Sequence, residues 1–512
     1  MSKNQTVEKM KKHILGFAVA CILLTGCEDF LTVVPETQLS SATFFKNQKD
    51  FEQAVNAAYV PLRTITNDRA WLLGEMHSDN TYYARNVLFG ATDNQEDIAD
   101  FSIPESNGTS ANTHVLNQWR QDYLIISRTN QILTLIDDVE FDQAAKDNVK
   151  GQALFLRAYA YFELARYFGS VPLHLTPVAT REEAALDLSP EAEVYAQIEQ
   201  DLQAAVPLLP KKSAQDPGRV TEGAARTLLA NVYINQKKWS EAEQVLTPVV
   251  TSGEYMLMAD YAMAFPGNNS NKNNSESVFE VQFIEGAAGL NGNFIYQFMP
   301  RPISAAELQP IMGTSNPQNI DGEGNNIPTP DIIAAYEDGD LREDASIGYV
   351  FLSGSFRDDK TYPYIKKHAK QHSQHNNTGT NWVVYRYAEV LLFMAEILNE
   401  QGKPGEAAAY LNQVRDRAGL DATTASGQAE MREAIFKERR VELAFENKRW
   451  FDIQRTDRIE AIIRPYGQRI IANPLDYYYP PIEGAVPRSN AFTNLSKFYA
   501  YPAAESDLSP YF

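Results

Sequence analysis

Apolar residues recur every three or four positions over long parts of the chain, a pattern that predicts amphipathic helices. Residues 51–59, 115–137, 144–168 and 189–206 each carry such a stripe. Trp119 falls on the apolar face of the second stripe and is therefore expected to pack in the core. The third and fourth stripes are adjacent along the chain, and we expect them to pair as an antiparallel helix hairpin.

Two further segments fit the tetratricopeptide pattern in part, in which small and large residues alternate so that one helix nests against the next. They are residues 222–251 and 386–414. The matching positions are Leu229, Ala230, Tyr233 and Ala242 in the first segment, and Met394, Ala395, Leu398, Ala407 and Leu411 in the second. The predicted fold class is therefore mainly α, a tetratricopeptide-like scaffold of helix pairs.

A long insertion separates these two segments. Residues 253–383 are rich in Asn, Gly, Pro and Tyr, and SVFEVQF at 277–283 is a short β-like run. Such composition predicts a large irregular, loop-rich face on the helical scaffold. Helix returns at 429–451, where the charged run KERR at 437–440 is expected to form ion pairs along a helix.

The N-terminus has the organisation of a secretory signal. Lysines precede an apolar run of 11 residues, ILGFAVACILL, which is followed by LTGC ending at Cys27. A transmembrane helix needs about 20 apolar residues, so we expect cleavage rather than a retained span. Leu24 to Cys27 resembles the bacterial lipobox, which predicts that residues 1–26 are removed and Cys27 is lipidated.

Charge and cysteine content exclude several classes of protein. The 512-residue chain has 46 Lys plus Arg against 66 Asp plus Glu, a net charge of −20, so no nucleic acid partner is expected. Its two cysteines lie at 21 and 27, in the signal and at its end. We therefore expect a mature fold without a disulfide, a thiol nucleophile or a cysteine metal site.

No catalytic or cofactor motif is found. GxSxG, HExxH, P-loop and GxGxxG patterns are all missing from the sequence. His368, His372 and His375 have a spacing that suits zinc on a helix, but lysines surround them and no carboxylate accompanies them, so no metal is expected. DGDLREDA at 338–345 is interpreted as a turn. The sequence therefore gives no support to a serine hydrolase, a zincin or a nucleotide-dependent enzyme, and we expect no cofactor.

Several blocks, in order along nearly the whole chain, resemble the SusD/RagB family of outer-membrane nutrient-binding lipoproteins. The C-terminal 30 or so residues match the family pattern only loosely. The blocks are the lipobox followed by CEDFL, QALFLRAYAYFELARYFGSVPL at 152–173, YRYAEVLLFMAEILNE at 385–400, LNQVRDRAGL at 411–420 and IFKERRVELAFENKRWFDIQR at 435–455.

The resemblance implies a single SusD-like domain from 27 to 512 with four tetratricopeptide-like units. Its expected parts are a helical scaffold at about 40–70, 115–252 and 384–455, loop-rich inserts at about 71–114 and 253–383, and an irregular tail at 456–512.

The resemblance also implies a function. Proteins of this family bind an oligosaccharide at the cell surface without catalysis and deliver it to a SusC-type TonB-dependent transporter for import. A lipid anchor holds them in the outer membrane. Some members bind peptides instead. The sequence also leaves open a surface glycoside hydrolase and a purely structural adaptor.

A neutral sugar is bound by flat aromatic faces and by polar groups that reach its hydroxyls. Trp119, Trp239 and Trp450 lie on helix stripes or in family blocks and are assigned to packing. The loop that follows the first helix is the first candidate for a ligand site, and the insert before the last repeat is the second. The candidate ligand residues are Trp71, Asp79, Asn80, Tyr82, Tyr83 and Arg85 in the first segment, and Tyr296 and Phe298 in the second.

Overall fold

The computed structural model describes ten parts of the chain. They are residues 44–67, 71–84, 93–103, 112–286, 289–322, 324–353, 359–481, 483–507, 509 and 511. The lipobox with Cys27 and the candidate residue Arg85 lie outside these parts.

Helices dominate the described residues. The longer ones are α1 (Gln48–Asn67), α2 (Asp93–Ala99), α3 (Thr113–Leu135), α4 (Gln143–Phe168), α5 (Glu191–Ala205), α6 (Glu222–Asn235), α7 (Trp239–Thr251), α8 (Ala305–Met312), α9 (Tyr387–Glu400), α10 (Pro404–Arg417), α11 (Gln428–Glu442), α12 (Arg449–Arg455) and α13 (Ile459–Ala472). Short helical turns occupy Arg181–Ala184, Pro330–Ile333, Leu341–Ser346 and Ala503–Ser506.

The strands form three separate antiparallel pairs. The strands are β1 (Thr81–Ala84), β2 (Ser277–Val281), β3 (Gly324–Pro328), β4 (Ile347–Leu352), β5 (Lys360–Ile365) and β6 (Trp382–Arg386). β1 pairs with β3, β2 with β6, and β4 with β5. Because β6 leads directly into α9, its pairing with β2 fastens the beginning of the insert to the scaffold.

The long helices pack as four successive pairs: α1 with α3, α4 with α5, α6 with α7, and α9 with α10. The pairs also stack on one another, and α7 packs against α9 although the insert separates them in sequence. The mainly helical, tetratricopeptide-like scaffold is confirmed, as is the predicted pairing of the third and fourth stripes.

α4 is the central helix of this stack. The Asp142 side chain caps its start by accepting from the Ala145 N–H at 2.9 Å, and the helix ends at Gly169, whose φ is 75°. Nearly every residue from Val149 to Phe168 is buried. A helix that is buried on all sides must have neighbours on all sides, which explains why its apolar residues are not confined to one stripe.

The prediction of an irregular tail from 456 onward is wrong for its first part. α13 occupies residues 459–472, with Ile463, Tyr466 and Ile470 buried on one face. Gly467 lies on this helix, where a Cβ would come within 2.3 Å of the Phe492 ring. The glycine thus lets the chain beyond 480 lie directly against the helix, which also accommodates Pro465.

A buried cluster of charges joins α11 to the insert and to β6. Arg386 donates to Glu276 at 2.8 Å, to Glu446 at 2.8 Å, and to Glu442. Lys367 binds Glu446 at 2.9 Å, and Arg417 and Arg342 also pair with carboxylates of the cluster. The predicted pairing of residues 437–440 along one helix is wrong, because these side chains pair with other elements: Lys437 with Glu337 at 3.1 Å, Arg439 with Asp452 at 2.9 Å and Arg440 with Asp79 at 2.9 Å.

Candidate functional site

A cleft of about 450 Å³ opens where three parts of the fold meet. One wall is α1, the second is the turn Pro217–Arg219 between the second and third helix pairs, and the third is the end of β2 with Gln282 and Leu290. This volume is large enough for a ligand of two or three sugar rings.

α1 contributes two different faces because of the order of its residues. Phe51, Val55, Ala58 and Leu62 are buried in the core. Asn56, Tyr59, Val60 and Arg63 follow the i, i+3, i+4, i+7 spacing of a second face and line the cleft. The helix therefore presents an aromatic ring, an amide and a guanidinium side by side.

Gly218 shapes the opposite wall. Its φ is +87°, a conformation that favours glycine, and a Cβ there would lie 2.6 Å from Cγ of Gln282. The Gln282 amide is itself fixed, since it accepts from Asn381 Nδ2 at 2.8 Å and exchanges hydrogen bonds of 3.0 Å with Asn273. This wall is thus preformed.

Tyr59 and Arg219 of the cleft are both positioned by Gln152 of α4. Tyr59 donates its hydroxyl proton to Gln152 Oε1 at 2.9 Å and accepts from the Val220 N–H at 3.1 Å. Arg219 donates to the same Gln152 oxygen at 3.1 Å. Burial raises the pKa of Tyr59, so its hydroxyl stays protonated at neutral pH.

Two polar atoms of the cleft lack a hydrogen-bond partner among the described residues. The Arg63 Nε–H is buried and has no hydrogen-bond partner among the described residues, and burial lowers the pKa of this guanidinium. Glu280 Oε1 is likewise buried without a partner. Burial raises the pKa of Glu280, although Asn381 and the Asn273 N–H bind its other oxygen. Unpaired polar atoms are unfavourable inside a protein, and a polar ligand would satisfy them.

The first candidate loop is not exposed as expected. Trp71 is 2 % exposed and donates its indole N–H to the Thr66 carbonyl at 3.2 Å. Its ring meets Phe298 edge to face at 4.6 Å, so the first and second candidate segments contact each other inside the core. Neither ring offers a face to a ligand in this structure.

The polar residues of that segment are occupied by ion pairs and hydrogen bonds with the helices at 428–455. Asp79 pairs with Arg449 at 2.7 Å and with Arg440 at 2.9 Å. Burial opposes its charge, but the two arginines outweigh burial and lower the pKa of Asp79 to about 2. Asn80 bridges Glu75 and Arg440 through its amide. These side chains fix the fold and have no free groups for a sugar.

Tyr82 and Tyr83 lie on β1 and are also buried. Both hydroxyls are within hydrogen-bond distance of the Tyr479 hydroxyl, at 3.0 and 3.3 Å, and Tyr82 also donates to Asp100. The part of the expected loop at Thr81–Ala84 is therefore a strand, and its two tyrosines are buried on opposite faces. Its polar residues and tyrosines suggested exposure because their partners are remote in sequence.

Tyr296 is buried as well. Its hydroxyl lies 2.5 Å from Nε2 of His372, and its ring packs on His375 at 4.5 Å. The three histidines do not lie on a helix, and His368 stacks on Trp382 instead. In the part of the chain that the structure describes, no group of three His, Cys, Asp or Glu side chains is arranged to hold a metal.

The β4–β5 hairpin provides exposed aromatic rings. Tyr349 is 54 % exposed and Phe351 is 57 % exposed. They are two residues apart on β4 and so project from one face, opposite Pro363 and Thr361 of β5. This face is a second surface on which a sugar ring could stack.

The residues that line the cleft were not identified from the sequence. In the sequence, Tyr59 and Arg63 belong to a predicted helix, and residues 217–219 form a connection between two helices. The available signal was the second face of α1, where an arginine and a tyrosine share helical spacing with Asn56 and Val60. When one face of a helix is already buried in the core, a second stripe of residues with helical spacing indicates a second contact surface.

Comparison with known proteins places this scaffold and its insert in a defined class. The profile of the SusD family matches residues 353–508, and a second profile, described as starch-binding associating with outer membrane, matches residues 29–234. The helix pairs, the insert and the two matched regions together define a SusD-like protein. The chain belongs to the SusD/RagB family.

Relatives cover nearly the whole chain. SusD-like protein P2 of Formosa agariphila is 28% identical over 496 residues, which are 90% of this chain and 93% of that protein. The surface glycan-binding protein A of Bacteroides thetaiotaomicron, solved in complex with laminarihexaose, has a TM-score of 0.72 at 21% identity and covers 91% of this chain and 98% of its own. A laminarin-binding SusD-like protein has a TM-score of 0.70 at 25% identity, with 91% and 98% covered.

None of the helices in the described residues is both long and apolar enough to cross a lipid bilayer.

Proposed function

We propose that this protein is a lipid-anchored receptor of the outer membrane that captures a glycan outside the cell without cleaving it. The observation that carries the proposal is the cleft at α1, where Tyr59 and the unpaired Arg63 and Glu280 groups converge. An aromatic face with nearby hydrogen-bonding groups suits a sugar, whose rings have one apolar side and many hydroxyls. The glycan-binding names of two structural relatives support the same class of ligand.

The anchor and the onward path follow from the family and the N-terminus. Cys27 carries the lipid once residues 1–26 are removed, and the captured glycan passes to a SusC-type TonB-dependent transporter for import. The association with the outer membrane that names one matching family supports this location.

The direct test is affinity electrophoresis of the soluble chain without residues 1–27 in gels that contain single polysaccharides. The panel includes laminarin and starch, together with acidic plant, host and algal glycans. We expect at least one glycan to retard the protein, and we expect its chain length to be unchanged after long incubation.

Two results would contradict the proposal. Shortened products would favour the glycoside hydrolase instead. Retardation by no glycan would favour a peptide ligand of the RagB type or the structural adaptor.

A further inference from the structure

Several arginines buried in the scaffold are held by carboxylates, whereas Arg63, like the partly buried Arg128, has no carboxylate partner among the described residues. Arg128 donates to the Ala57 carbonyl instead, but the Nε–H of Arg63 has no partner among those residues. Arg157 pairs with Asp201 at 2.7 Å, Arg439 with Asp452 at 2.9 Å and Arg449 with Asp79 at 2.7 Å. Burial alone shifts the pKa of Arg63, with no contribution from a nearby carboxylate. A half-buried guanidinium without a counter-charge is unfavourable unless a ligand supplies one.

The remaining cations of the cleft are also weakly neutralised. Arg219 is 3.6 Å from Asp216, a carboxylate whose side chain is 82% exposed. Lys212 lines the narrow continuation of the cleft, where its ammonium donates to the carbonyls of Asn274 and Ser277 at 2.5 Å. Burial lowers the pKa of Lys212 to about 8.

The acidic groups in the same place offset these cations only in part. The Asp216 carboxylate is open to water, which screens its charge. Burial raises the pKa of Glu280, but Glu280 and Glu254 both act on Lys212 and oppose the effect of burial on its pKa. Arg63 thus remains the cation of the cleft that no described carboxylate neutralises, in a chain of net charge −20. An overall negative charge repels anions, so such a cleft must attract an anionic ligand by short-range contacts.

We propose that the glycan bound in the cleft is anionic, with a carboxylate or sulfate group of one sugar residue on the guanidinium of Arg63. The planar guanidinium fork of Arg63 matches the two oxygens of either group and provides two parallel N–H donors. The proposal rests on the glycan-binding function above and specifies its class of substrate. Arg219, which pairs with a solvent-exposed carboxylate, provides a second guanidinium in the cleft, so that an oligosaccharide with repeated charges fits better than a single sugar.

The test compares charged and neutral forms of the same backbone. Oligogalacturonate is compared with its methyl ester, and a sulfated galactan with its desulfated product. Every other charged glycan that retards the protein is likewise compared with its esterified or desulfated form. We expect the charged form to bind more tightly, and we expect added salt to weaken it. The two pairs distinguish a carboxylate ligand from a sulfate ligand.

Variants of Arg63 then locate the contact. We expect Arg63→Gln to weaken binding of the charged form by roughly 10- to 100-fold, the effect of losing a charge-assisted hydrogen bond, and to weaken binding of a neutral glycan by a much smaller factor. Arg63→Lys keeps the charge without the fork and should have an intermediate effect. Arg464→Gln is the matched control, because this arginine lies on α13 and pairs only with the exposed Glu460 among the described residues.

The outcomes separate the two proposals. If the protein binds charged and neutral forms equally, or if Arg63→Gln changes no affinity while thermal unfolding shows it folded, the anionic ligand is wrong and the glycan-binding function stands. If the wild-type protein binds no glycan in either form, the function itself is wrong, and this inference with it.

Discussion

Replacing Arg386 with methionine is expected to lower the free energy of unfolding by about 3–5 kcal/mol. This guanidinium is 1 % exposed and lies among three carboxylates, Glu276, Glu442 and Glu446. Methionine has a similar volume but removes one of the charges that balance them, the one that contacts all three; Arg342, Arg417 and Lys367 each contact only one or two. The loss is large because the carboxylates remain buried, and transferring a charge from water into the interior is favourable only when it is paired. Urea unfolding followed by circular dichroism measures the change.

Acid unfolding gives a second readout of the same cluster. Burial opposes the charge of Glu446, but Arg386 and Lys367 outweigh burial and lower the pKa of Glu446 to about 2. A depressed pKa contributes stability that is present above the unfolded-state pKa and is lost as the pH falls through the range from about 4.5 to 2. We expect Arg386→Met to begin this loss at higher pH.

Arg464→Met is the control for both experiments, since its pair with Glu460 is exposed on α13 and such pairs contribute little. An Arg386→Met protein no less stable than this control would contradict the account of the cluster.

Trp71→Ala is expected to act on folding instead of on ligand affinity. The side chain is almost fully buried, and removing a large buried aromatic side chain destabilises a protein by about 3–5 kcal/mol. The truncation also leaves the Thr66 carbonyl without the indole N–H and removes the edge-to-face contact with Phe298. Unfolding in urea and glycan affinity are measured on the same preparation, and we expect the affinity of the folded fraction to be unchanged.

Tyr349→Ala is the matched control for Trp71, because it also removes an aromatic ring but from an exposed position. Its stability should be close to that of the wild-type protein. A stable Trp71→Ala protein with weakened glycan binding would restore the interpretation of this residue as a ligand contact.

Helical periodicity was sufficient to predict the scaffold. Stripes along 115–137 and 144–168 predicted α3 and α4 to within two residues at each end, and the partial repeats predicted the pairs α6 with α7 and α9 with α10. Periodicity works there because each stripe reports the burial of one face of one helix. The stacking of α7 on α9 across the insert is not a local property, so it could not be predicted.

The candidate site shows where sequence reasoning reaches its limit. WLLGEMHSDNTYYA was interpreted as an exposed loop because its polar residues and tyrosines suit a surface. In the fold they are satisfied by Arg440, Arg449 and Tyr479, which lie more than 300 residues later. Conversely, Arg63 belongs to an ordinary helix in the sequence, and only the packing of the insert beside α1 makes it part of a cleft.

A crystal structure of the soluble chain with an oligosaccharide that it binds would show whether the cleft is the binding site. We predict a sugar in the cleft, with one of its oxygens within hydrogen-bond distance of the Arg63 guanidinium and one ring against Tyr59. A sugar stacked on Tyr349 and Phe351 of the β4–β5 hairpin, with the cleft empty, would contradict this assignment.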